Sequence, residues 1–222
     1  MKLITFQSIE AVEEAALGLL EEHFTLADDA PHAVMLTGGR TPTGVYERLR
    51  QTPVEADGNV WVMLSDERHV PLDSPENNFA KMLPAIEAMG IDDSRVISVH
   101  TEQSLEDAAE QYDRQLASFV EAGGRITLGI LGMGADGHLA SMFCPQHIAM
   151  GQGRYAIAVP KEDGPDRISV TRDLLQRVER LVFLVTGEDK KDVVETAAAG
   201  RMETVAEQAL EGHANVELWF GQ

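Results

Sequence analysis

The sequence predicts an α/β protein of three layers, with helices covering both faces of a mostly parallel central sheet. Three observations carry this. Short apolar runs alternate along the chain with longer segments of helical period. The runs are apolar at successive positions rather than at every second one, which marks strands buried on both faces. The residues of chemical character stand where the runs stop, in "TGGRTP", "SDERHVP", "GMGADGH" and "TGEDKK". Ligands of parallel sheets bind there, beyond the carboxyl ends of the strands. With 222 residues, no repeat and no obvious linker, the reading is one domain over residues 1–222.

Each element follows in order. Ile9, Val12, Ala16, Leu19, Leu20 and Phe24 recur at helical spacing behind a candidate cap, Ser8. "AVMLTGG" is a buried strand ending in glycines. Thr41 and Pro42 then read as cap and first position of a helix over "TGVYERLRQ". "VWVMLSD" is the next strand, and "NFAKMLPAI" a short helix interrupted or ended near Pro84. "RVISVH" is a strand and "SLEDAAEQYDRQLASFV" a long amphipathic helix. "RITLGILGMG" is the most apolar strand, with "HLASMF" as a helical start behind it. "YAIAV", "RISVT" and "RLVFLVTG" are further strands. Helices at "DLLQRV", "DKKDVVETAAAG" and "TVAEQALEG" precede a last strand, "NVELWF".

Composition removes several function classes. The chain is 44% hydrophobic and 25% charged, ordinary for a soluble globular protein. A net charge of −19 argues against nucleic-acid binding, which needs basic surface. It leaves an anionic substrate open, because a few arginines can dominate one pocket. No run of about 18 apolar residues predicts a membrane span, and "MKLITFQSIEAVEEA" lacks the pattern of a signal peptide. A cytoplasmic location is the resulting expectation. Cys144 is the only cysteine, and the seven histidines are scattered without an H-E-x-x-H, so no metal site is expected. The G-x-S-x-G elbow of serine hydrolases is absent.

Gly132, Gly134 and Gly137 spell the G-x-G-x-x-G of a dinucleotide turn. That turn calls for an acid ending the following strand, about 20 residues on. Here the zone is "YAIAVPKED", whose acids come only after Pro160. The glycines are better read as allowing close packing and a backbone path that presents His138. A place near a helix start would push its ring toward neutral, and a neutral imidazole can take a proton from water. "LTGGRTPTGVY" is a glycine turn before a helix, able to cradle a phosphate on backbone N–H groups. Arg68 in "SDERH" offers a planar, permanently charged fork to phosphate or carboxylate. Asp66 and Glu67 are neighbours on a strand and so point to opposite sides. Arg167 and Lys190, each at the end of a strand, are further cations for a phosphate.

This set of motifs resembles the short bacterial 6-phosphogluconolactonases, within the glucosamine-6-phosphate isomerase/deaminase-like superfamily. The resemblance runs in order through "LTGGRTP", "SDERHVPLDSPENN", "LGILGMGADGHLASMF", "DRISVT" and "LVTGEDKK", most of the chain. It implies a fold like that of glucosamine-6-phosphate deaminase and ribose-5-phosphate isomerase. It implies hydrolysis of 6-phospho-D-glucono-1,5-lactone to 6-phosphogluconate, the second step of the oxidative pentose phosphate pathway. His138 matches the general base, with Asp136 orienting it or shaping its loop. Asp66 and Arg68 match the "DER" motif lining the site. Gly38, Gly39, Thr41, Arg167 and Lys190 match positions near the phosphate or sugar hydroxyls. Arg40, where a small residue is usual, adds a charge to the phosphate loop. Leu139, Cys144 and "ENN" also depart from the family pattern. No cofactor, no metal, no nucleic-acid or membrane partner and a monomer or weak homo-oligomer are expected. Two other readings compete. An amino-sugar phosphate deaminase would carry a "MDEY"-like motif and an acid five residues after the histidine, where this chain has Phe143. A non-catalytic sugar-phosphate sensing domain would come with a DNA-binding module, for which the chain has no room.

Overall fold

The computed structural model describes residues 1–222. The elements are β1 (Lys2–Phe6), α1 (Ile9–Phe24), β2 (His32–Leu36), α2 (Arg40–Gln51), β3 (Val60–Leu64), β4 (Asp66–Arg68), α3 (Asn78–Ala88), β5 (Val96–Ile97), α4 (Leu105–Glu121), β6 (Arg125–Leu131), α5 (Pro145–Met150), β7 (Ala156–Val159), β8 (Arg167–Val170), α6 (Arg172–Leu175), β9 (Leu181–Thr186), α7 (Lys191–Ala198), α8 (Val205–Ala209) and β10 (Val216–Gly221). Seven strands form one sheet in the order β1-β10-β9-β6-β2-β3-β5, and every pairing in it is parallel. The three-layer αβα reading holds. Side chains along β2 show why: Ala33 and Met35 join the core under α4, α7 and α8, whereas Val34 and Leu36 join the core under α1, α2 and α3. Alternate residues of one strand serve opposite layers, so the strand must be apolar throughout. No helix is long and apolar enough to cross a membrane.

Several local expectations are corrected. "YAIAV" and "RISVT" do not extend the parallel sheet. They form β7 and β8, which with β4 make a separate antiparallel sheet in the order β4-β8-β7. It is tied to the main sheet where the Val170 N–H donates to the Ser65 carbonyl. β1 is an edge strand that the sequence reading missed. Its largely exposed positions break up the apolar run that marks a buried strand. "RVISVH" contributes only two strand residues. The third helix runs on through Pro84 to Ala88. A helix-interior proline costs about 3 kcal/mol, but burial of Met82, Ala85 and Ile86 on both sides of it holds the helix together. The second helix starts at Arg40 with Gly39 as its cap, at φ +117. Thr41 therefore lies inside the helix, and its hydroxyl pairs with that of Thr186 at 2.7 Å.

The consequential correction is "HLASMF", which is not helical. Gly137 (φ +81) and Ala140 (φ +47) both lie in the left-handed region, where a right-handed helix cannot continue. Isolated bridges Met133↔Leu139 and Leu139↔Met142 fold the segment into a compact loop with Leu139 wholly buried. The next helix starts only at Pro145.

Candidate active site

Parallel strands bring their carboxyl ends to one edge, and the loops after β2, β3, β6 and β9 meet there. A cavity of about 340 Å³ is lined by Gly38, Gly39, Asp66, Arg68, His138 and Lys190. A smaller hollow of about 190 Å³ adjoins it, sharing Gly38, Gly39 and Lys190 and adding Arg40 and Thr41. The chain thus brings together nearly all the residues singled out from sequence. Arg167 lines neither hollow. It stands opposite Arg68 in the β4–β8 register and spends its guanidinium on the Pro165 carbonyl at 2.5 Å. Burial and the Arg68 charge pull its pKa down. A larger cavity, about 510 Å³, lies between Met1, Glu207 and His213. Of its polar groups, Glu207 is consumed by capping α8 and both ring nitrogens of His213 are bonded to backbone, so the convergence of several cations with a histidine whose Nε2 is free decides for the smaller one.

His138 is held by its neighbour. Nδ1 lies 2.5 Å from Asp136 Oδ1, and no protein group bonds Nε2. The His138 side chain is 29% exposed. Burial raises the Asp136 carboxyl, but the charge and hydrogen bonds of His138 outweigh it and hold the acid below the ordinary carboxylate range. His138 does not open a helix of its own; the Asp136 carboxylate is the charged group bonded to its ring. The glycines have distinct reasons. A Cβ on Gly134 would stand 2.1 Å from His138 Nδ1, and one on Gly137 would meet Thr204 at 2.7 Å. Phe143, five residues after the histidine, tilts its ring against His138 at 4.7 Å, and Lys161 Nζ lies over the Phe143 ring, 4.0 Å from its centroid.

The opposite wall is built from the other loops. Both oxygens of Asp66 accept hydroxyls, from Ser65 at 3.0 Å and Ser141 at 2.7 Å. Arg68 Nη1 donates to the Glu76 carbonyl at 3.0 Å, and Lys190 Nζ to the Met133 carbonyl at 3.1 Å. The N–H groups of Gly38, Gly39, Arg40 and Thr41 make no hydrogen bond within the chain. Four free amides beside Arg40, Lys190 and Arg68 are the kind of donor set that can hold an anion. Sequence reasoning missed Asn78, which lines the main cavity and whose Oδ1 would lie 2.1 Å from a Cβ on Gly38. The alternation read from the sequence holds for Glu67, which turns away from the cavity and is fully buried beside it. Asn78 carries no spacing that distinguishes it; only the approach of β4 to α3 reveals it. No group of three or more His, Cys, Asp or Glu side chains is placed to hold a metal.

The family model for glucosamine-6-phosphate isomerases/6-phosphogluconolactonase matches residues 7–217. The chain belongs to this family. Within it, the chain is 34% identical over 161 residues to a 6-phosphogluconolactonase of Thermotoga maritima, covering 71% of this chain and 70% of that protein. The crystal structure of the T. maritima 6-phosphogluconolactonase superposes with a TM-score of 0.79 at 26% identity, over 100% of this chain and 99% of that one. A monomeric glucosamine-6-phosphate deaminase superposes with a TM-score of 0.80 at 19% identity, over 99% and 97% of the two chains. The fold is thus shared by both chemistries of the family. The residues at the mouth of the sheet must decide between them, and Phe143 stands where the deaminase reading called for an acid.

Proposed function

We propose that the chain hydrolyses 6-phospho-D-glucono-1,5-lactone to 6-phospho-D-gluconate. The observation that carries the reading is His138, which lines a cavity walled by cations and unpaired amides with Nδ1 engaged by Asp136 and Nε2 free of protein partners. In the neutral ring Nδ1 donates to Asp136, which leaves the Nε2 lone pair for a water proton. The water oxygen attacks the lactone carbonyl as Nε2 takes its proton. Asp136 steadies the imidazolium that forms. The tetrahedral intermediate then collapses, the bond from carbonyl carbon to ring oxygen breaks, and the ring oxygen takes the proton from His138. The phosphate occupies the cradle of Gly38, Gly39, Arg40, Thr41 and Lys190, with Arg68 as a further cation, and Asp66 accepts from a sugar hydroxyl. Arg167, bonded to the Pro165 carbonyl and outside both hollows, takes no part in holding the substrate in this reading.

The test is acid release from freshly generated 6-phosphogluconolactone, followed at constant pH. The purified protein is expected to exceed the spontaneous rate, and His138→Ala to lose about 10²–10⁴-fold of the enzymatic rate. A wild-type rate no faster than spontaneous hydrolysis overturns the activity. A His138→Ala rate near wild type overturns the base.

A further inference from the structure

Glu67 lies between two cavity residues, Asp66 and Arg68, yet points away from the cavity and is fully buried. No cation pairs with it. Its carboxylate instead accepts three backbone N–H groups, each at 2.7 Å: that of Arg68, and those of Asn78 and Phe79 in the first turn of α3. Asn77, the cap of α3, satisfies a different donor, Ala80 N–H. Glu67 is therefore a second cap, reaching from another element. Burial pushes its carboxyl up to about 7, against those three amide bonds and with Asp66 adding to the rise. A buried acid that costs this much to keep ionised needs a reason.

The contacts beyond it supply one. Once Asn78 is fixed by its backbone, its side chain donates to the Asp66 carbonyl at 3.2 Å. Asn78 Oδ1 is buried without a hydrogen-bond partner and packs where Gly38 has no side chain. A chain of contacts thus runs from Glu67 through Asn78 to the Gly38 turn, and directly from Glu67 to Arg68. These are the two walls that face a bound phosphorylated sugar.

We propose that Glu67 is a positioning residue for this site, setting the spacing between Arg68 on β4 and the Gly38–Gly39 turn through Asn78. The inference rests on the anion-binding reading of that cavity. Glu67 touches no substrate. It acts on binding, whereas His138 and Asp136 sit on a separate loop, so its loss should weaken ground state and transition state alike and raise KM with kcat little changed.

Glu67→Gln keeps the shape but turns one acceptor into a donor facing an N–H group. The first readout is titration of the protein with inorganic phosphate, which needs no hydrolysis. The expected result is a Kd weaker by on the order of tenfold. The second is lactone hydrolysis, with KM raised by a similar factor and kcat within about threefold. Asn78→Ala should reproduce the weaker phosphate binding, and the double variant should add little to either single change, because both act through one chain of contacts. If Glu67→Gln fails to fold, Glu67→Asp, which withdraws the carboxylate by one methylene, takes its place in the same titrations. Phosphate affinity within twofold of wild type in a folded variant overturns the proposal, as does full additivity with Asn78→Ala. Wild-type protein that binds phosphate but leaves the lactone intact would instead overturn the activity and spare the positioning role.

Discussion

A single bond organises the chemistry at residue scale: Asp136 Oδ1 against His138 Nδ1. The ring lowers the pKa of the acid against the push of burial, so deleting the ring should let the acid rise. In His138→Ala, carbon-detected NMR titration is expected to show Asp136 protonating at higher pH than in wild type; an unchanged titration would uncouple the pair. Gly134→Ala tests the same bond sterically. Its Cβ would overlap His138 Nδ1, so activity should fall about as far as in His138→Ala, roughly 10²-fold or more, while thermal stability shifts far less. His138 itself was legible in the sequence, from its place behind an apolar run. Its electrostatic setting was not. The helix-end argument failed because "HLASMF" is a loop, and the group bonded to the ring is a carboxylate, whose charge has the sign opposite to that of a helix N-terminus.

Among the elements, the loop that carries His138 hangs from α8. The Ala206 N–H donates to the Gly137 carbonyl at 3.0 Å, and Thr204 fills the space left by the missing side chain of Gly137. The Thr204–Glu207 capping box fixes that turn, with Glu207 accepting the N–H groups of Met202, Glu203 and Thr204. Burial raises the Glu207 carboxyl, but these hydrogen bonds win and hold it below its ordinary 4.5. A depressed acid contributes stability that is present above the unfolded value and lost as pH falls through the folded one. Glu207→Gln is accordingly expected to cost about 1–3 kcal/mol at pH 7, with the gap to wild type closing below pH ~4.5. Denaturant titration across pH measures it, and a gap independent of pH would assign the loss to packing instead. The cap of α1 was plain in the sequence, because Ser8 precedes a periodic apolar run, and it accepts from Ala11. Left-handed Ala140 was invisible, since nothing in an alanine announces positive φ. So was the survival of α3 through Pro84, which depends on a core built by residues far away in the chain.

Across the whole molecule, alternation of apolar runs with helices was enough to predict the layers, because a strand buried on both faces can be written in few ways. Strand order was not predicted, nor was the detachment of β4, β7 and β8 into their own sheet; both depend on which edges pair, and edges leave little mark on composition. The net charge of −19 acts at this scale too. Self-repulsion opposes compactness and is screened by salt, whereas attraction of a phosphorylated substrate to Arg40, Arg68 and Lys190 is weakened by it. Raising NaCl from ~0.01 to ~0.5 M, which shortens the Debye length from about 30 Å to a few ångströms, should raise Tm while raising KM. Parallel movement of both in the destabilising direction would refute the charge argument.

The pairing at one edge of the sheet has a further consequence. The strand made first, β1, bonds only to the strand made last, β10, and α1 packs on it so closely that Gly221 has no room for a side chain beside Val12. A chain emerging from the ribosome cannot seat β1 until β10 has also emerged. That edge of the sheet is therefore completed late, by the pairing of two strands far apart in the chain.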